Sequence, residues 1–266
     1  VRENNCKLTL DEIKLELTVF GLSGGQILIS DDETKVSLDR LNLLKPILPP
    51  HSPPISNINS EKNPANLSLM PVPLDMFEQT NPKLYARTVH TPFGYRHLCA
   101  VINWNRKSIS DSVFLSELLN WDAEELYSND DKFLVFDYWR EQIIGIYPKS
   151  KKPIGLQIPP HGCRFLNIVP FPNHHKLPLL FLSSTLHICQ GAKEIVHIKN
   201  EKNRLKVTLR LPGERTGFLY FSVPINYEVY SSKNTIEFVQ NFDLKIVKIH
   251  CYVKNSAEII INYRKK

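Results

Sequence analysis

Ser30, Asp31 and Asp32 follow directly on the apolar run Gln26-Ile27-Leu28-Ile29. Hydroxyls and carboxylates at the end of a short buried strand lie where barrel enzymes keep their chemistry. Ser30 and Asp31 are therefore the candidate substrate-binding residues, placed to line a pocket. Acids in such a position have a second use, which is to cap the next helix or to bond loop amides. For Asp32 the capping role is favoured; for Asp31 the two roles stay open. Neither acid makes a complete active site.

Other reactive side chains are grouped less well. His174 and His175 are adjacent, so their rings point in different directions. His161 and Cys163 are two apart and would share one face of a strand. A metal site of this type needs three or four ligands, and the sequence names none. The simpler expectation is that His161-Gly162 forms a turn whose imidazole bonds to the backbone, and that His187 and His197 punctuate strands. Trp104, Trp121, Tyr138 and Trp139 could offer flat faces to a sugar, but large aromatics more often fill cores and domain contacts.

The elements that must position these residues change character along the chain. Residues 8–22 read as a helix capped by Thr9 or Asp11, with Glu12 three residues after Thr9 and with Ile13, Leu17 and Phe20 on one face. Ser23-Gly24-Gly25 ends it, and Gln26–Ile29 reads as a strand buried on both faces. A second helix is capped by Ser37, runs through Leu38, Leu41, Leu44 and Leu48, and stops at Pro49-Pro50. Helix, buried strand, acidic turn and helix is the grammar of an α/β barrel. Residues 51–82 are rich in Pro, Asn and Ser and read as an irregular linker. From residue 83 to 266 short alternating or apolar runs separated by turns predict an antiparallel sandwich. Among them are Tyr85–Val89, His97–Asn103, Arg164–Val169 and Thr185–Cys189, and the strictly alternating Arg204–Leu211 belongs to a set of terminal hairpins.

Composition narrows the class. The 266 residues carry a formal net charge of +6 with 42% hydrophobic and 23% charged residues. The basic residues are mixed with acids apart from Lys149, Lys151, Lys152 and the terminal Arg264–Lys266, and no nucleic-acid-binding module accompanies them. No run approaches the roughly 18 apolar residues of a membrane-spanning helix. Neither nucleic acid nor membrane is expected as a partner. Five widely spaced cysteines argue against a disulfide framework and lean towards a reducing compartment. The sequon Asn66-Leu67-Ser68 leans the other way, so localisation stays open. No charged and apolar leader is visible at the start.

Six segments, in order, resemble one family group. Ser23-Gly24-Gly25 through Ser30-Asp31-Asp32 is similar to the "SGG…SD" segment near the barrel end of α-galactosidase-like enzymes (glycoside hydrolase families 27 and 36, with raffinose-synthase-like relatives). Arg40-Leu41 through Ile47-Leu48-Pro49-Pro50 resembles the "R…LL…LPP" helix that follows. Leu98–Trp104 is similar to the "VFNW" strand, and Phe136-Asp137-Tyr138-Trp139 to "YDFW". Ile158–Arg164 resembles the "PHG-x-R" turn, and Ser183–Gly191 the "S-S-x-H-I-x-QG" strand. The resemblance spans residues 13–195 and fades beyond residue 200.

The resemblance implies residues 1–50 as the last β/α unit of a (β/α)8 TIM barrel, 51–82 as linker and 83–266 as the sandwich. It implies a parent enzyme that hydrolyses terminal α-galactosides with retention, using two carboxyl groups about 5 Å apart and no cofactor or metal. In the family these acids end the fourth and sixth barrel strands, so they would lie upstream of Val1 and no catalytic residue is carried over. The partners implied are an α-galactoside-type carbohydrate and the remainder of the barrel. The competing class is a non-catalytic β-sandwich that binds carbohydrate or protein.

Overall fold

The computed structural model describes residues 7–30, 32–50, 72–119, 127, 128, 131–171, 179–230, 236–241 and 244–266. Helix α1 (Leu10–Ser23) starts at Thr9 in a full capping box: the Thr9 amide donates to Glu12 at 2.6 Å and the Glu12 amide donates back to Thr9 Oγ1 at 3.3 Å. It ends at Gly24 in the left-handed conformation. Ile13, Leu17 and Leu22 are buried, whereas Phe20, expected on the same face, is 47% exposed. Gly21 faces the molecule instead, and a Cβ there would lie 2.6 Å from Ile188 Cγ2. Only glycine lets the helix come this close.

Residues 24–30 form no strand, which corrects the expectation for Gln26–Ile29. Leu28 is 82% exposed. A parallel strand needs hydrogen-bonding neighbours, and none pairs with this run among the described residues. Accordingly no part of a TIM barrel is seen in residues 7–50. Helix α2 (Leu38–Leu44) is capped by Ser37 as expected, and a 3-10 turn over Lys45–Ile47 replaces the last predicted turn around Pro46.

The rest of the described residues is mainly antiparallel β-structure, in agreement with a sandwich domain. Strands β1 (Val72–Pro73), β2 (Leu84–Thr91), β3 (Gly94–Asn103), β5 (Lys132–Asp137), β6 (Gln142–Pro148) and β8 (Gly162–Phe171) form one six-stranded sheet in the order β1-β2-β3-β8-β5-β6. One face packs under α1 through Leu98, Ala100, Ile102 and Phe165. The other is covered by the pair β4 (Ile109–Val113) and β7 (Ile154–Ile158) and by the short helix α3 (Leu115–Leu118), through Val113, Leu118, Ile154 and Ile158. Alternate side chains serve the two faces, so β3 and β8 are buried almost throughout.

The second sheet is built on a long hairpin. Strand β11 (Arg204–Pro224) pairs with β14 (Leu244–Lys265) along nearly its whole length, broken by a bulge between Arg210 and Glu214. Strand β10 (Ile195–Glu201) flanks the first half of β11, and β9 (Leu180–Ser184) flanks the second. Strands β12 (Tyr227–Tyr230) and β13 (Ile236–Asn241) pair with opposite ends of β14. Val207 and Leu209 before the bulge, Leu219 and Phe221 after it, and Ile249 and Ile261 of β14 join a single apolar cluster. The alternating run Arg204–Leu211 is the first half of one long strand, which continues past the bulge to Pro224. Thr185–Cys189, expected as a strand, is a run of turns: the Leu186 amide donates to Ser184 Oγ, the Cys189 amide donates to His187 Nδ1, and Gln190 sits at φ 50°.

Candidate functional site

Ser30 is exposed on the irregular segment after α1, and Asp31 lies outside the described residues. Asp32 does what capping predicts. Its Oδ1 accepts from the Thr34 amide at 3.2 Å and from Thr34 Oγ1 at 2.6 Å, and its Oδ2 pairs with Lys35 at 2.8 Å. These bonds hold its carboxyl below the usual range, the Lys35 bond most of all. Trp121, His174, His175, Cys6 and the sequon at Asn66 lie outside the described residues, as do 51–71 of the linker.

The motif residues that are described come together, and they do so as interlocks. Asp137 and Arg164, from two different motifs, form a buried ion pair, with the Arg164 Nε donating to Asp137 Oδ2. Burial pushes the Asp137 carboxyl up, and the guanidinium pulls it back. Arg164 Nη1 also donates to the Gln157 carbonyl at 3.0 Å. Asn103 Nδ2 donates to the carbonyls of Lys107 and Pro159 at 2.8 and 2.9 Å, while its Oδ1 accepts from the Asn105 amide. The Asn105 carbonyl in turn accepts from the His161 amide at 3.0 Å. His161 does turn the chain, at φ 44°, but its bond there is made by the main-chain amide. Strand β8 begins at Gly162, so His161 lies in the turn before it and shares no strand face with Cys163, which is buried against Thr18.

The same motifs tie the helices to the sheets. Trp139 Nε1 donates to Thr18 Oγ1 of α1 at 2.8 Å, and Arg87, outside the motifs, donates through Nη1 to the Leu22 carbonyl near the α1 C-terminus at 2.5 Å. That carbonyl end carries partial negative charge, which suits a guanidinium. His187 accepts from the Cys189 amide at Nδ1, so Nε2 carries the proton and donates to the Pro49 carbonyl at 2.9 Å. The Ile188 amide donates to the Pro46 carbonyl at 2.8 Å. Burial pushes the His187 pKa down to about 4. Glu194, fully buried, accepts from the amides of Gly191 at 2.9 Å and Lys193 at 3.3 Å, yet burial pushes its pKa up to about 7.

The buried carboxylates are thus engaged in separate structural roles: Asp137 with Arg164, Glu194 with loop amides, and Asp75 with the amides of Lys83 and Leu84 at 3.0 Å. Among the described residues no cluster of three or more His, Cys, Asp or Glu could hold a metal ion. Trp104 is 40% exposed and donates through Nε1 to the Pro82 carbonyl; Tyr138 is buried and stacks edge-on with Phe165. Buried His97, bonded to Thr88 Oγ1 at 2.9 Å and Tyr127 at 3.1 Å, and buried Arg96 carry no motif and were not legible as special.

No protein-family model matches the sequence, and no curated protein matches it. The chain is similar to solved glycosidase structures. With α-galactosidase I from Mortierella vinacea the identity is 10% and the TM-score 0.43, over 62% of this chain and 37% of that one. With a GH27 β-L-arabinopyranosidase from Geobacillus stearothermophilus the values are 14% and 0.44, over 63% and 32%. With the isomalto-dextranase of Arthrobacter globiformis T6 they are 10% and 0.38, over 97% and 46%. The chain spans about a third of the length of the first two. Likeness this slight does not bear on activity.

Proposed function

We propose that this chain is the C-terminal part of a glycoside hydrolase resembling α-galactosidase, in which residues 1–50 complete a barrel and the β-domain braces it. The observation that carries the proposal is an apolar surface concentrated in the first forty residues. Leu8, Leu10, Phe20, Leu28, Ile29 and Leu38 are all exposed, Leu28 at 82% and Leu38 at 66%. Exposed apolar side chains grouped along one stretch of chain suit an interface, and the occupant proposed is the remainder of the barrel. Paired on both sides, residues 26–29 become its eighth strand, which brings Ser30 and Asp31 to the substrate pocket. The colinear motifs support the same reading, since they interlock α1 and the Pro46–Pro49 segment with the β-domain.

In the intact enzyme the substrate is a terminal α-galactoside. Retaining hydrolysis needs a nucleophile and an acid/base about 5 Å apart, and other barrel strands would supply both. The linker over 51–82, whose end adds strand β1 to the first sheet, divides barrel from sandwich. The test is the coding sequence upstream of Val1, expressed with this chain and assayed on a chromogenic α-galactoside. Turnover abolished by changing an Asp at the end of an upstream strand supports the proposal. An upstream region without β/α repeats, or turnover by the 266-residue chain alone, overturns it.

A further inference from the structure

A cleft of about 510 Å³ opens where α1, the Lys45–Ile47 turn and the long hairpin meet. Ligand pockets are commonly about 300–1,000 Å³. Three cations reach it from three distant parts of the chain: Lys14 of α1, Lys45 of the turn and Arg215 of β11. None makes an ion pair with an acid among the described residues. The acid on its lining, Glu141, pairs with Lys248 at 2.7 Å. The cleft therefore carries an uncompensated positive charge, which attracts anions over roughly 10 Å at 0.1 M salt.

The cations are held in place. Arg215 Nη1 donates to the Lys45 carbonyl, and burial lowers its pKa. Lys45 Nζ donates to Asn42 at 3.1 Å, and Lys14 Nζ lies 5.7 Å from the centre of the Trp139 ring. Trp139 is fixed through its bond to Thr18 and remains half-buried beside the cleft, with Phe218 also on the wall. A flat ring face next to fixed cations suits one ligand class, a ring that carries an anionic group.

We propose that this cleft binds an acidic saccharide, such as a uronate or a sugar phosphate. The anion sits among Lys14, Lys45 and Arg215, and the apolar face of the sugar ring lies against Trp139. The proposal rests on the cleft alone and stands whether or not the chain belongs to a glycosidase.

The test is titration of the 266-residue chain with galacturonate oligomers, galactose 1-phosphate, inorganic phosphate and neutral galactose, followed at the indole N–H signals, with Trp139 assigned by Trp139→Phe. Both acidic sugars should shift the Trp139 signal and bind at least tenfold more tightly than galactose, and more weakly as salt rises. The double variant Lys14→Gln/Lys45→Gln should melt like the parent and lose at least tenfold in affinity. Inorganic phosphate as tight as the sugar phosphate would remove the ring from the proposal and overturn it as stated. No shift with any acidic sugar, or binding unchanged in the double variant, overturns it altogether.

Discussion

The half of the molecule around β3, β5 and β8 is tied together by polar interlocks, whereas the β11–β14 hairpin is tied by alternating aliphatic side chains. In the first, Asp137, Arg164, Asn103 and His187 each reach across the chain to a partner in another segment. In the second, Val207, Leu209, Ile249 and Ile261 fill one cluster, and the ion pairs, such as Lys206 with Glu258, lie at the surface. The first arrangement specifies which segments meet. The second specifies only which face is inward. That difference fixes how each half responds to substitution.

The largest effect belongs to the interlocks. Asp137→Ala leaves the Arg164 guanidinium buried without its carboxylate. Breaking a buried pair from one side costs roughly 3–5 kcal/mol, which urea denaturation should show as a midpoint shift. By contrast Glu258→Ala, at an exposed pair of the hairpin, should cost about 0–1 kcal/mol. Equal costs would erase the distinction. Ile261→Ala, fully buried in the hairpin cluster, should fall between them at roughly 2–4 kcal/mol through the cavity it leaves.

Three buried groups outside the β11–β14 hairpin make stability depend on pH. His97 and His187 have pKa values lowered by burial to about 3 and about 4. Unfolded, each takes up a proton near pH 6.5, so its contribution is complete above that pH and is lost as pH falls. Glu194 is raised to about 7 by burial, so its contribution is complete below about 4.5 and is lost as pH rises through 7. Between roughly pH 6.5 and 4.5 unfolding takes up two protons at the histidines and releases one from Glu194. Stability should therefore fall by about 1.4 kcal/mol per pH unit on acidification. His187→Gln should flatten this slope, and Glu194→Gln should about double it. Equal slopes for all three proteins, measured by urea denaturation across that window, would place the protons elsewhere.

Much of this was legible from local rules. The Thr9 capping box, the Ser37 cap and the alternation of Arg204–Leu211 each depend on neighbours within a few residues, and each is formed. The run Gln26–Ile29 was misread because a strand is a property of its neighbours. Ile154–Ile158, similarly short and apolar, is a strand because Ile109–Val113 pairs with it. The turns over Thr185–Cys189 depend on Ser184 and His187 side chains bonding locally, which apolar patterning does not register. Asp32, favoured as a cap or a bond to loop amides, bonds the Thr34 amide, while α2 takes its cap from Ser37. The cleft of Lys14, Lys45, Arg215 and Trp139 matches no sequence pattern as a set, because its four residues are brought together only by the tertiary fold.

The smallest expected effect on stability tests the exposed face. Leu28 is 82% exposed and lies on a segment with no strand partner among the described residues. Leu28→Ser removes no buried contact, so folding stability should stay within about 0.5 kcal/mol of the parent. Association should change instead. The parent should show a concentration-dependent mass by size-exclusion chromatography with light scattering, because its apolar surface favours self-contact. Adding Phe20→Ser and Leu38→Ser to Leu28→Ser should shift the protein towards monomer without moving its urea midpoint by more than surface changes do. A marked loss of stability would mean that these side chains pack within this chain and are not an interface, and the comparison between a bonded interior and an unpartnered edge would fail at that point. A parent that is monomeric at all concentrations would remove the reason for assigning this face to the rest of a barrel.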